Sequence, residues 1–201
     1  MKKLSLYIVF VFLLVACGDG EAKSNNTISD AALSDREKTL LNAAAGNILF
    51  TYDFSIESAG ALEVWMEKYE YGELTEEQIG GVGTEVNKNG QIIVTLKEVP
   101  QSKETIVRVA IVNGGAVSSS EGLMTLPDIG SFGYGSLISN EPAALQGNMA
   151  IGQIIYSGES NFFKTGWAEL ANNPVAIIKE LKDRPVVYLI RTSFKEIKST
   201  S

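Results

Sequence analysis

Leu49-Phe50-Thr51-Tyr52-Asp53-Phe54-Ser55-Ile56 decides how the chain reads. Apolar side chains fall at 50, 52, 54 and 56, with mostly polar residues between. Side chains of a strand point alternately to opposite faces, so this period of two marks a half-buried strand. Leu62, Val64 and Met66 repeat the pattern against Glu63, Trp65 and Glu67. Three further runs, 91–99, 104–112 and 149–156, have the same character. Residues 186–194 are β-branched and aromatic, and their first half is apolar on both faces, as a central strand requires. Tyr71-Gly72 reads as a turn, and Asn89-Gly90 predicts a hairpin with positive φ at both central residues.

Two helices are expected beside these strands. Ser34-Asp35-Arg36-Glu37 has the capping-box spacing, and Leu40, Leu41 and Ala44 form an apolar stripe up to a C-capping Gly46. Asn173-Pro174 reads as an N-cap followed by proline at the first helical position, with Ile177, Ile178 and Leu181 on one face and Arg184-Pro185 as the end. Residues 113–148 carry Gly114-Gly115, three consecutive serines and a Gly-rich run at 130–135, and are expected to be long loops with one short strand near Leu123. Many short strands separated by turns predict a mainly β fold. The expectation is an antiparallel β-sandwich, immunoglobulin-like in general architecture, with one or two appended helices. The alternative is an α+β domain with an antiparallel sheet.

The N-terminus gives a location. Lys2 and Lys3 precede an apolar run from Leu4 to Ala16, which Leu14-Val15-Ala16-Cys17 closes. The run is too short to span a bilayer and has the parts of a secretory signal. This stretch resembles the lipobox of bacterial lipoproteins. The resemblance implies removal of residues 1–16 and lipidation of Cys17, with acyl chains such as palmitate entering the membrane. Two acyl chains hold stably where one does not. The expected place is the extracytoplasmic face of the cell membrane. Residues 17–33 are polar and small after the cysteine, and read as a flexible tether; 34–201 read as one globular domain. Residues 34–75 resemble small uncharacterised lipoproteins of Gram-positive spore-forming bacteria, which implies no activity.

Composition narrows the function. The chain of 201 residues has no histidine and a single cysteine. Histidine triads, Cys-His catalysis and His-based zinc sites are therefore excluded within it. Without Lys2 and Lys3, 15 basic residues face 24 acidic ones, which disfavours nucleic acid. Neither Gly80–Gly83 nor the 130–135 run continues into a phosphate loop. Glu85 to Gly90 follows a calcium loop only in part, because its twelfth position is Leu96 and not a carboxylate. No catalytic residue, cofactor or metal ligand is therefore assigned.

What remains is recognition. Trp65, Tyr69 and Tyr71 are candidate aromatic anchors, and Glu63 and Glu67 share the strand face of Trp65 and Tyr69. Carboxylates are costly to desolvate, so this face is expected to be outward and partly wet. The expected function is a non-catalytic binding module of the cell envelope, with membrane lipid held through Cys17 and an envelope protein or glycan as partner. The alternative is a glycan hydrolase using two carboxylates, which needs only such a pair in a cleft.

Overall fold

The computed structural model describes residues 25–46, 48–158 and 171–197. Cys17 and the stretch resembling a lipobox lie outside the described residues. Among the described residues, eleven strands and two helices follow in the order β1 (Thr27–Asp30), α1 (Asp35–Ala45), β2 (Ile48–Ser55), β3 (Gly60–Glu70), β4 (Glu73–Val86), β5 (Gly90–Glu98), β6 (Glu104–Asn113), β7 (Ala116–Thr125), β8 (Ser131–Ser136), β9 (Ala143–Ala144), β10 (Gly147–Ser157), α2 (Pro174–Glu180) and β11 (Val186–Glu196). They build a β-sandwich. One sheet has the order β7-β6-β5-β2-β1-β9, the other β4-β3-β11-β10-β8, and every pairing is antiparallel.

The alternating runs supply the interior. Phe50, Tyr52 and Phe54 from β2 and Leu62, Val64 and Met66 from β3 are all buried in one core. Two tyrosines tie the sheets together across it. The Tyr52 hydroxyl donates to the Ile151 carbonyl at 2.7 Å, and the Tyr188 hydroxyl donates to the Thr125 carbonyl at 3.0 Å. Ile151 lies at an irregularity in the β10–β11 register, and its carbonyl also accepts from the Leu137 N–H at 2.8 Å. β11 occupies the centre of its sheet, as its two-sided apolar run predicts.

The helix signals hold at their N-termini. The Ser34 N–H donates to Glu37 Oε2 at 2.8 Å, and the Glu37 N–H donates to Ser34 Oγ at 3.3 Å. The Ala176 N–H donates to Asn173 Oδ1 at 3.1 Å, with Pro174 opening α2. Gly46 caps α1 with φ +101°. The expected stripe on α1 is not a packing face: Leu40 is exposed and Leu41 half-buried. α2 closes at Leu181, before the Arg184-Pro185 boundary.

Three expectations change. Residues 17–33 are not a tether throughout, because Thr27–Asp30 is a strand between β2 and β9. Ile28 is fully buried, and the Glu57 N–H donates to the Asn26 side chain at 2.8 Å. A four-residue polar strand has too little periodicity to stand out. Second, 113–148 is not mainly loop; it carries β7, β8 and β9. β7 is mostly and β8 half exposed, so their Ser and Gly content reflects solvent and not the absence of a ladder.

Third, Asn89-Gly90 is not a hairpin turn. β4 and β5 belong to different sheets, and residues 87–89 carry the chain across. Neither Asn89 nor Gly90 has positive φ. Glycine is required at 90 for space: a Cβ would lie 2.0 Å from the Val112 carbonyl oxygen and 2.5 Å from the Phe54 ring. The two-residue turn with both φ positive occurs at Tyr71-Gly72, φ +49° and +81°.

Candidate functional site

Trp65 and Glu63 line a groove of about 390 Å³ on the outer side of the five-stranded sheet. Its origin is local. In the β3–β4 register, Glu63 faces Gly83 and Trp65 faces Gly81. Opposite these two residues the neighbouring strand therefore has no side chain. The register also shifts between Trp65 and Met66, and the bulged strand falls away. Glu77 and Gln78 of β4 border the same space. Glu63 and Glu77 are exposed and Trp65 is half-buried. The groove thus offers an indole beside two solvated carboxylates.

Further along β3 the same row goes inside. Glu67 is 8% exposed and Tyr69 3%. The expectation that all four residues form one wet face is corrected here. The reason is Arg191, the single cation in the apolar run of β11. Its Nη1 donates to Glu67 Oε2 at 2.8 Å, and its Nε donates to the Met149 carbonyl at 3.1 Å. Glu67 also accepts from Trp65 Nε1 at 2.9 Å and from the Tyr69 hydroxyl at 2.6 Å. The Arg191 guanidinium lies 5.8 Å from the centre of the Trp65 ring, within cation–π range. Burial first, and then the bond to Glu67, push the Tyr69 phenol well above its ordinary range. A buried carboxylate needs such partners, and here it has them. Glu67 and Tyr69 are accordingly a support that fixes the Trp65 ring, and they are not available to a partner.

Tyr71 is separate again. It is 64% exposed on the β3–β4 turn, with its N–H donating to the Arg184 carbonyl at 3.0 Å. Six residues of strand put it roughly 20 Å from Trp65. The structure therefore brings Trp65 and Glu63 together with Glu77 and Gln78, and leaves Tyr71 outside. Arg191 is the residue that sequence reasoning missed. A lone arginine within a run buried on both faces was the available signal, since such a charge demands a counter-charge nearby. Glu70 and Glu76 stay at the surface, where Lys68 pairs with them at 2.8 Å and 3.4 Å.

A family model, the YgaN domain, matches residues 27–194, from the first residue of β1 into β11. The chain belongs to the YgaN domain family. The matched span begins at β1, in keeping with a YgaN domain that includes residues upstream of Ser34. No curated protein and no solved structure matches the chain. Among the described residues, no helix is long and apolar enough to cross a membrane.

Proposed function

We propose that this YgaN domain is a lipid-anchored, non-catalytic binding module of the cell envelope that docks a basic segment of a partner protein in the Trp65 groove. The observation that carries the reading is the groove itself: an indole and two exposed carboxylates, Glu63 and Glu77, around one concavity. Lys and Arg side chains combine an apolar stem with a cationic head, which suits an aromatic wall beside acids. The excess of acidic over basic residues favours the same class of partner. The Glu67–Arg191 pair supports the reading by holding Trp65 in place before a partner arrives. The anchor rests on Cys17, the sole cysteine, directly after Leu14-Val15-Ala16.

The test uses the full chain and a lysine-rich peptide, compared with a glutamate-rich peptide of equal length. The basic peptide is expected to bind in a salt-sensitive manner and to be lost in Glu63→Gln/Glu77→Gln. Equal binding by that double variant would place recognition elsewhere. For the anchor, wild type is expected to incorporate labelled fatty acid in cells and Cys17→Ser is not.

The second reading, a carboxylate-based hydrolase acting on envelope glycan, gains one observation, since Glu63 and Glu77 share a groove. Both are exposed, however, and a carboxyl acting as general acid is ordinarily desolvated. Glycan release that disappears in Glu77→Gln alone would promote the hydrolase over the module.

A further inference from the structure

A second cavity, of about 210 Å³, opens at one end of the sandwich between the two sheets. Ile48 and Leu96 of the six-stranded sheet, Leu126, Pro127 and Ile129 of the connection after β7, and Phe132 of β8 give it an apolar wall. Three polar side chains also line it: Glu98, Thr105 and Tyr156. Thr105 is 2% exposed, and its hydroxyl oxygen has no hydrogen-bond partner. It continues the inward row of Val107, Val109 and Ile111, where a β-branched apolar residue would fill the same volume without a desolvated hydroxyl. Buried polar groups are otherwise almost always partnered.

The other two groups converge on it. Glu98 is the direct cross-strand partner of Thr105 in the β5–β6 ladder, so their side chains stand on one face. Glu98 is exposed and marks the mouth of the cavity. Tyr156 is buried, and its ring is stacked on Phe132 at 5.5 Å. Its phenol is pushed up to about 12, by burial first and by the Glu98 carboxylate second, which places the two groups within electrostatic reach. None of the three makes a hydrogen bond through its side chain to another described residue.

We propose that this cavity binds a small primary amine, with the ammonium held by Thr105, Glu98 and Tyr156 and an apolar body of single-ring size against Ile48, Leu96, Leu126 and Phe132. An ammonium carries three donors and no acceptor. The cavity presents three oxygen-bearing groups, one of them a carboxylate that supplies the opposite charge. The volume sets the size of the body. A dry cavity of about 150 Å³ holds benzene, and pockets for drug-sized ligands begin at about 300 Å³. A ring with a short aminoalkyl arm falls between them. The site is distinct from the Trp65 groove, shares no lining residue with it, and does not depend on that reading.

The experiment is calorimetric titration of the full chain with phenethylamine, with phenylacetate and ethylbenzene as the anionic and uncharged comparators. Saturable binding of the amine is expected, at least about tenfold tighter than either comparator, as hydrogen bonds to a charged group imply. Thr105→Val and Glu98→Gln are each expected to weaken the amine by about tenfold, with no fall in melting temperature. A merely structural Thr105 would change melting without changing the preference for the amine. The proposal is overturned if the amine does not saturate, if phenylacetate or ethylbenzene binds as well as the amine does, or if both variants retain wild-type affinity.

Discussion

Glu67 and Thr105 are both buried polar residues on strands whose neighbours are apolar, and their surroundings differ completely. Glu67 accepts hydrogen bonds from Trp65, Tyr69 and Arg191. Thr105 has no partner for its hydroxyl. Protein interiors exact a cost for any polar group removed from water, and the first site offsets that cost within the chain. A group whose partners are all internal contributes to the fold and is closed to visitors. One that is buried with its valences free retains them for something outside the chain. Burial alone therefore does not separate structural from functional polar residues; the completeness of the hydrogen-bonding does.

The largest expected effect comes from breaking the complete site. Arg191→Met should leave Glu67 buried with its countercharge gone and cost about 3–5 kcal/mol, read by urea denaturation. A loss below about 1 kcal/mol would mean that the pair is solvated and that the contrast with Thr105 is false. The double variant Glu67→Leu/Arg191→Met should recover most of that loss, because replacing both members of a buried pair by apolar groups is often close to neutral. A double variant no more stable than Arg191→Met would show that the cost lies in packing around Arg191 and not in charge.

The pH dependence extends the comparison. The folded protein holds the Tyr69 phenol above its ordinary value of 10.0, chiefly by burial. The unfolded chain therefore ionises first, and this contribution to stability is complete below pH 10 and is lost as pH rises beyond it. Tyr52 and Tyr188 are raised for the same first cause and act in the same direction. With Tyr7, Tyr71 and Tyr134 replaced by phenylalanine, alkaline titration followed by tyrosinate absorbance and circular dichroism should show ionisation and unfolding together above pH 10. Tyrosinate appearing well before unfolding would place these hydroxyls in water.

The smallest effect has the opposite sign. Thr105→Val removes a buried hydroxyl that has no partner and should raise stability by up to about 1 kcal/mol in the free protein. A substantial destabilisation would mean that the hydroxyl is satisfied internally, and the distinction between the two sites would collapse.

The sequence shows well where the backbone meets a plane of packing. β2, β3 and β11 were legible because one or both of their faces enter the core, and burial imposes a period that composition records. The capping box of α1 and the Asn173-Pro174 start of α2 were legible because caps are local chemistry. β1 was hidden because its four residues, only one of them fully buried, carry no period. β7 and β8 were hidden because strands that face solvent can be built from Ser and Gly. Of the candidate site, Trp65 and Glu63 were placed on one face from spacing alone. That Glu67 and Tyr69 turn inward on the same row was not legible, since the alternation is unbroken through all four.

The chain by itself determined which residues alternate, where helices begin, which chemistries lack their residues, and the mainly β class. These depend on neighbours a few positions apart, within reach of local sterics and periodicity. Tertiary structure alone decided that Arg191 meets Glu67, 124 positions away, that Gly81 and Gly83 hollow the groove beside Trp65, and that Glu98 and Thr105 share a cavity with Tyr156. Each depends on which strands become neighbours. Strand order follows from how whole sheets bury their apolar faces, and no short stretch of sequence encodes it.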